Sequence, residues 1–272
     1  SFLTTEYYLS DIPEGEIVLM DEGSNVVEFI VAKHDYESEL NGAGRTLLVR
    51  RYAAARGMAW NTSYYSTYAS SSINYWLNGT YLDGFSSAQK ASIGKTTFYY
   101  TPGFSSTDFS SGSSKVSTLS QSVFLLSAHE IGLESTGSDV AGWTSRSPEY
   151  TYNEGTTFPY YTKIRGIIRT SNAEKKYEDS SFTMLCAWLR SPWLFSADYA
   201  HDLPSSSRKD ILAKMASCLY ANTYSDGSIE ESRNTTEASS TILNGMNVCV
   251  LPCFTLPSSL AIDADGKLIF ES

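Results

Sequence analysis

Two apolar, β-branched runs constrain the chain most. Residues 26–34, VVEFIVAKH, and residues 45–52, RTLLVRRY, each read as a strand. The cluster ELNGAGR between them is rich in turn residues, so the pair is expected as an antiparallel hairpin with a long loop. Later apolar stretches are equally short. QSVFLLSAHEIG gives a strand through Leu126, and KIRGIIR (163–169) gives another. FTMLCAWLR (182–190) reads as a strand buried on nearly both faces, and NVCVLPCFTLP as one late strand. Asp226-Gly227 and Asp265-Gly266 each sit between strand-like flanks and signal hairpins.

Helices are fewer. Ile73, Trp76 and Leu77 follow i, i+3, i+4 spacing after serines 70–72, which supply a cap, and Gly79 and Gly84 break the pattern. Ser86 with Gln89 has capping-box spacing ahead of SAQKASI, and Ser127 with Glu130 repeats it before a short turn that Gly132 stops. SSSRKDILAKMASCLY predicts the clearest helix, with Ser207 and Asp210 at capping-box spacing and Ile211, Leu212, Met215 and Leu219 on its inner face. Residues 100–120 and 133–160 are rich in Ser, Thr and Gly and lack apolar periodicity. They read as loops or insertions, long for a compact domain, and such length usually serves function or assembly. Short strands, two or three short helices and long loops make the expected fold class α+β.

A chain of 272 residues with 42% hydrophobic content builds a substantial core. Its net charge of −10, with no basic stripe, makes nucleic acid an unfavourable partner. No apolar run approaches the roughly 20 residues that span a bilayer, and no charged-then-apolar leader opens the sequence. The unusual quantity is aromatic: 19 Tyr, 12 Phe and 5 Trp, with many Tyr set among Ser, Asn and Gly, as in NTSYYSTYASSSINYW. That vocabulary suits recognition surfaces, where rigid rings give contact area and small polar residues adapt. It also suits an ordinary β-rich protein, because Tyr favours strands.

Catalytic signatures are absent. No G-x-S-x-G elbow occurs, and SSRK (206–209) lacks the companion motifs of an S-x-x-K enzyme. His34, His129 and His201 do not share metal-binding spacing. DADG (263–266) resembles the start of a calcium loop, but the ligand pattern fails downstream and a hairpin turn is the better reading. Asp198 with Asp202 is the best carboxylate pair, with nothing to single it out. Four cysteines are too few for a disulfide framework in a chain of this length. On an extended strand Cys249 and Cys253 lie about 13 Å apart, too far to pair. No catalytic residue, metal or cofactor is expected.

Several motifs occur in a fixed order: VEFIVAKHDYESELNGAGRTLLVRR, NYWLNGTYLDGF, VFLLSAHEIG, AWLRSP and VLPCFTLPSSLAIDADG. Together, over residues 26–268, they resemble a widespread family of unknown function in gut bacteria and their phages. Its members carry W-L-N, V-F-x-L-S, W-x-R-S-P and a late V-R-P-A-F-x-L-P-S. More loosely, the late element and the tryptophan pattern resemble the C-type-lectin-like fold. That fold is shared by formylglycine-generating enzymes, by the variable proteins of diversity-generating retroelements and by phage receptor-binding proteins. This chain departs from the family in having Leu251 for Arg and Cys253 for Ala.

The resemblance implies an N-terminal arm or connector over residues 1–25. A single C-type-lectin-like domain over 26–272 would follow, with insertions near 100–120, 133–160 and 203–220. It implies a binding module on a phage tail, virion appendage or bacterial surface, meeting a glycan or protein receptor alongside other virion subunits, and able to assemble as a homo-oligomer. The implied ligand-binding residues are Trp193, Phe195, Asp198, Tyr199 and His201, then Tyr220, Asn222, Tyr224, Asn244 and Asn247. Trp76, Trp188 and Arg190 are expected to be structural, with Trp188 in the core and Arg190 pinning loop carbonyls. The alternatives are a structural virion protein and a formylglycine-generating-type oxidase using Cys249 and Cys253.

Overall fold

A computed structural model describes residues 6–56, 58, 68–100, 116–127, 129–132, 154–168, 185–191, 218–221 and 248–271. The class is α+β, with short strands, few helices and much irregular chain. The elements in order are β1 (Tyr7–Tyr8), β2 (Ile17–Glu22), β3 (Asn25–Lys33), α1 (Ser38–Asn41), β4 (Arg45–Arg50) and β5 (Ala55–Arg56). Then come α2 (Ser72–Trp76), α3 (Ser87–Ile93), β6 (Thr96–Tyr100), β7 (Ser117–Gln121) and α4 (Tyr161–Ile167). The chain closes with β8 (Leu185–Trp188), β9 (Cys218–Ala221), β10 (Val248–Val250), β11 (Cys253–Pro257) and β12 (Ala261–Ile262).

The expected hairpin is present: β3 pairs antiparallel with β4, with a bulge between Val31 and Lys33. It is the centre of a four-stranded sheet in the order β11-β4-β3-β2. A second four-stranded sheet runs β5-β10-β8-β9. One antiparallel ribbon joins the two sheets. Cys253 opposes Val49 in the first and Val250 opposes Ala55 in the second. Between these pairs, Arg50 N bonds Pro252 O and Ala54 N bonds Val250 O. The late strand expected as one piece is therefore two, and it switches sheets at Leu251-Pro252. Proline has no amide to give a ladder, which favours the break there.

Other expectations need correction. Residues 163–169 lie largely in α4 and not in a strand. Ile164 and Ile168 are buried and Ile167 packs against the core, which is helical spacing that outweighs the β preference of isoleucine. The strand before Leu126 is Ser117–Gln121, paired with β6, so that part of the stretch expected as loop is hairpin. Beyond it, Phe124 touches the sheet only through a bridge to Cys253. The predicted helix ending at Tyr220 gives way at its last residues to β9, whose pairing with β8 outcompetes helical spacing. Its earlier residues lie outside the described set, as does the hairpin at Asp226-Gly227. The stretch expected as an arm contributes β1 and β2 to the sheets from residue 6 on, and Leu9 is fully buried. β1 pairs with β12, bringing the first and last described strands together.

The caps hold. Ser86 and Gln89 form a reciprocal capping box on α3, and Ser71 accepts from Asn74 N at the start of α2. After α2 the chain widens into a π-helical turn, Leu77–Tyr81. The motif residue Asn78 sits in that turn and its amide rivets the turn to the neighbouring strand. It accepts from Ser122 N and Val123 N and donates to Val123 O and Asn74 O, all at 2.9–3.0 Å. Trp76 is half-buried with its ring 5.6 Å from Tyr81. Asp263 Oδ1 accepts from the amides of Asp265 and Lys267, which makes DADG the turn expected of it.

Candidate functional site

Arg190, the arginine of WLRSP, is fully buried, and its guanidinium is the centre of the described interior. Each N–H of its fork has an acceptor. Nε donates to Tyr99 O at 2.8 Å. Nη1 donates to Leu125 O at 2.8 Å and to Glu130 Oε2 at 2.7 Å. Nη2 donates to Glu130 Oε1 at 2.7 Å and to Glu154 O at 3.0 Å. The fork also lies over the rings of Phe98 and Phe124, at 5.0 and 5.9 Å, and those rings stack at 4.2 Å. The expected carbonyl-pinning role is what Arg190 performs, together with a buried bidentate ion pair.

Glu130 is the residue that sequence reasoning placed only as a cap. It does cap: Oε2 accepts from Ser127 N, while Ser127 Oγ accepts from Glu130 N. The same carboxylate closes on Arg190 and accepts from the Tyr36 hydroxyl. Burial alone would lower the Arg190 pKa; the adjacent Glu130 charge outweighs it and holds the pKa above the ordinary value. Burial, then the Glu130 charge, raises the Tyr36 phenol well above its usual range. The loop carrying Tyr36 is unusual, because Asp35 and Glu37 on either side both adopt positive φ. Glu37 Oε1 accepts from Thr156 N at 2.9 Å. Gly155 (φ +111°) leaves room for that contact: a Cβ there would stand 2.7 Å from Glu37 Oε1.

Trp188, two residues before Arg190, is buried as expected, and its Nε1 donates to Met58 O at 2.8 Å. Residues 59–67, which include Tyr64 and Tyr65, follow Met58 in the sequence and precede Tyr68. The Tyr68 hydroxyl accepts from Leu125 N, and its ring meets Phe98 edge-on at 6.3 Å. The bonds of Trp188 and Arg190 therefore reach the roots of four long stretches. These are 59–67 through Met58, 101–115 through Tyr99, 133–153 through Glu130 and Glu154 on its two sides, and 192–217 through Arg190 itself.

β11 begins at Cys253, bonded to Phe124, and runs to Pro257, a rise of roughly 13 Å. Past Pro257, Ser258 O and Leu260 O accept from Ser10 N and Leu9 N beside the β1–β12 ladder.

Of the residues expected to bind ligand, Trp193, Phe195, Asp198, Tyr199, His201, Asn222, Tyr224, Asn244 and Asn247 lie outside the described residues. Tyr220 is placed by its backbone alone, in β9 opposite Cys186. The register still separates the two groups. β8 and β10 are parallel and β9 is antiparallel to them. The stretch 192–217 thus departs from the Trp188 end of the sheet, while 222–247 departs from and returns to the Leu185 end.

Cys249 and Cys253 are buried thiols in different sheets. Cys253 Sγ donates to Phe124 O at 3.0 Å, and burial, followed by the Glu130 charge, pushes its pKa well up. Leu251 is buried among core residues. No group of metal-binding side chains occurs among the described residues, and no described helix is long and apolar enough to cross a membrane.

A family model for a domain of unknown function, DUF6273, matches residues 43–258, which include the π-turn asparagine, Glu130, Arg190 and the Leu251-Pro252 crossover. The chain belongs to that family. Comparison with the curated proteins and with the solved structures yields no match. Among the described residues, Asn78 rivets a turn, Arg190 and Glu130 form the central clamp, and Pro252 marks the sheet crossover.

Proposed function

We propose that this chain is a receptor-binding module with a C-type-lectin-like fold, carried on a phage tail, virion appendage or bacterial surface. The observation that carries the reading is that the bonds of one buried clamp reach the roots of four stretches, two rich in Ser, Thr and Gly (101–115 and 133–153) and two that carry aromatic residues (59–67 and 192–217). A rigid interior that fixes loop roots, with adaptable aromatic and polar residues beyond them, is how loop-borne recognition is built. The paired first and last described strands support the lectin-like fold. Retroelement diversification of residues in 193–202 and 220–250 fits the same design.

The ligand surface in this reading centres on Trp193, Phe195, Asp198, Tyr199 and His201. Tyr220, Asn222, Tyr224, Asn244 and Asn247 are the second set of proposed ligand contacts. The test is a cell- and glycan-binding screen of the full chain with Trp193→Ala and Tyr199→Ala. Loss of about 2 kcal/mol or more in either is expected of an aromatic hot spot. Unchanged binding in both removes the stretch from the site.

A role in virion assembly is favoured by one observation. Tyr7 (55% exposed) and Ile269 (45% exposed) lie at the terminal ladder as exposed apolar side chains. Copy number in purified particles discriminates the two readings. An oxidase of the formylglycine-generating type is disfavoured, because its chemistry needs two reactive thiols side by side. Here Cys253 is buried with its Sγ donating to Phe124 O, and Cys249 is buried in the other sheet.

A further inference from the structure

β7 pairs with β6 alone, and the bonds made around β6 fix which backbone groups of β7 face outward. Opposite residues of an antiparallel pair either exchange both backbone bonds or turn all four groups away from each other. Thr97 is engaged from the far side of β6: its N–H donates to Asn41 Oδ1 and its C=O accepts from Asn41 Nδ2, both at 2.8 Å. Tyr99 O likewise accepts from Arg190 Nε. Thr97 and Tyr99 thus point away from β7, so their opposites, Ser120 and Thr118, point away from β6. Ser122 keeps the same phase, since its N–H leaves the ribbon for Asn78 Oδ1 at 3.0 Å. No described residue bonds the outward N–H and C=O of Thr118 and Ser120, and both residues are exposed.

Folded proteins ordinarily blunt such an edge with a charge, a proline or a bulge. Residues 116–121, VSTLSQ, carry no charge and no proline, and the β6–β7 register is unbroken. The edge is also complementary to itself. Set antiparallel against β7 of a second copy, with Leu119 on a two-fold axis, Thr118 of each copy stands opposite Ser120 of the other. The outward donors and acceptors then match with none left over, as two hydrogen-bonded pairs. Their side chains fall on the face where Thr97 Oγ1 and Ser120 Oγ already bond at 2.7 Å, so the hydroxyl row continues across the axis. Charge favours this place of contact on a chain of net charge −10. Between Asp108 and Glu130 the sequence has no acidic residue and one base, Lys115, so two acidic copies meet here with little local repulsion.

We propose that β7 is a self-association edge: it pairs antiparallel with β7 of a second copy of this chain, about a two-fold axis at Leu119, to make one four-stranded sheet in the order β6-β7-β7-β6. So short an edge buries less than the roughly 1,200 Å² of a stable interface, so the dimer is weak in dilute solution, with Kd about 0.1–1 mM. It gains strength where copies are held close together on one support. The inference goes beyond the receptor-binding reading and does not depend on it.

The test is sedimentation of the full chain between about 10 μM and about 1 mM, with amide exchange by NMR at both ends of that range. The mean mass rises from one copy toward two, and exchange of the Thr118 and Ser120 amides slows about twofold or more. Two double variants read the register, both at exposed positions and both checked for an unchanged urea midpoint. Thr118→Lys with Ser120→Lys sets like charges opposite each other at both pairs and leaves a monomer throughout. Thr118→Lys with Ser120→Glu sets opposite charges there and tightens the dimer about threefold or more. Four results overturn the proposal: a monomer at the highest concentration, these amides already protected in dilute solution, a dimer that the Lys/Lys variant leaves intact, or equal weakening by both variants.

Discussion

Glu130→Gln is the sharpest perturbation of the clamp. The substitution keeps volume and one oxygen but removes the charge and turns an N–H₂ toward the Arg190 fork. Both side chains of the pair are fully buried, so the guanidinium left behind cannot recruit water. Breaking a buried pair by removing one partner costs about 3–5 kcal/mol. The Tyr36 hydroxyl and the Ser127 amide also depend on this carboxylate, so the upper part of the range applies. Against a total stability of about 5–15 kcal/mol for a typical domain, the loss is large. Equilibrium urea unfolding followed by tryptophan fluorescence measures it, with buried Trp188 as the natural reporter; a drop in midpoint of about 1–2 M is expected. The companion Arg190→Met orphans Tyr99 O, Leu125 O and Glu154 O as well. The double variant should therefore recover only part of the loss, with a coupling of about 2–3 kcal/mol. A shift below about 1 kcal/mol for Glu130→Gln, or additive single effects, would refute a buried ion pair as the centre of the fold.

Three further outcomes follow from the same geometry. Asn78→Ala removes a side chain bonded to four backbone groups and should lower stability by about 2–4 kcal/mol in the same urea assay, without changing ligand specificity. Cys253, with its thiol buried and its pKa raised, should take no iodoacetamide label in the native state near pH 8, about its ordinary thiol range, and label fully in urea, as read by peptide mass mapping. Glu37 has a pKa raised by burial above its ordinary 4.5. The folded state thus holds this proton more readily than the unfolded chain, and stability gained from it grows as pH falls through the raised value. Glu37→Gln, which keeps an acceptor for Thr156 N, should stabilise the protein at neutral pH, and the gain should vanish at pH below the ordinary carboxylate range; a gain that persists there contradicts the assignment.

Local signals in this sequence were readable because they are local. The Ser86/Gln89 and Ser127/Glu130 boxes span one helical turn, and both formed. The β3–β4 hairpin followed from two apolar runs and a turn. The role of Arg190 was legible from chemistry, since a fork of donors beside a proline turn must find acceptors. Its partner was not, because Glu130 lies 60 positions earlier and already had a sufficient local explanation as a cap. The α4 error arose because isoleucine spacing fits a strand by composition and a helix by period, and burial of Ile164 and Ile168 decided for the helix. At Leu251-Pro252 the proline was visible, but the presence of a second sheet to receive the switched strand was not.

The terminal ladder has an architectural consequence. Tyr8 opposes Ala261, and Ala261 O accepts from Ile269 N, so the entering chain, β12 and the departing chain lie side by side. At strand spacing the two ends of the described body stand about 10 Å apart. A gap of that size matches about three extended residues. The body is therefore suited to insertion: a surface turn of a host protein opened by a few residues can accept it whole. By the same reasoning, new ends can be cut elsewhere and the old ones bridged by a short glycine–serine link.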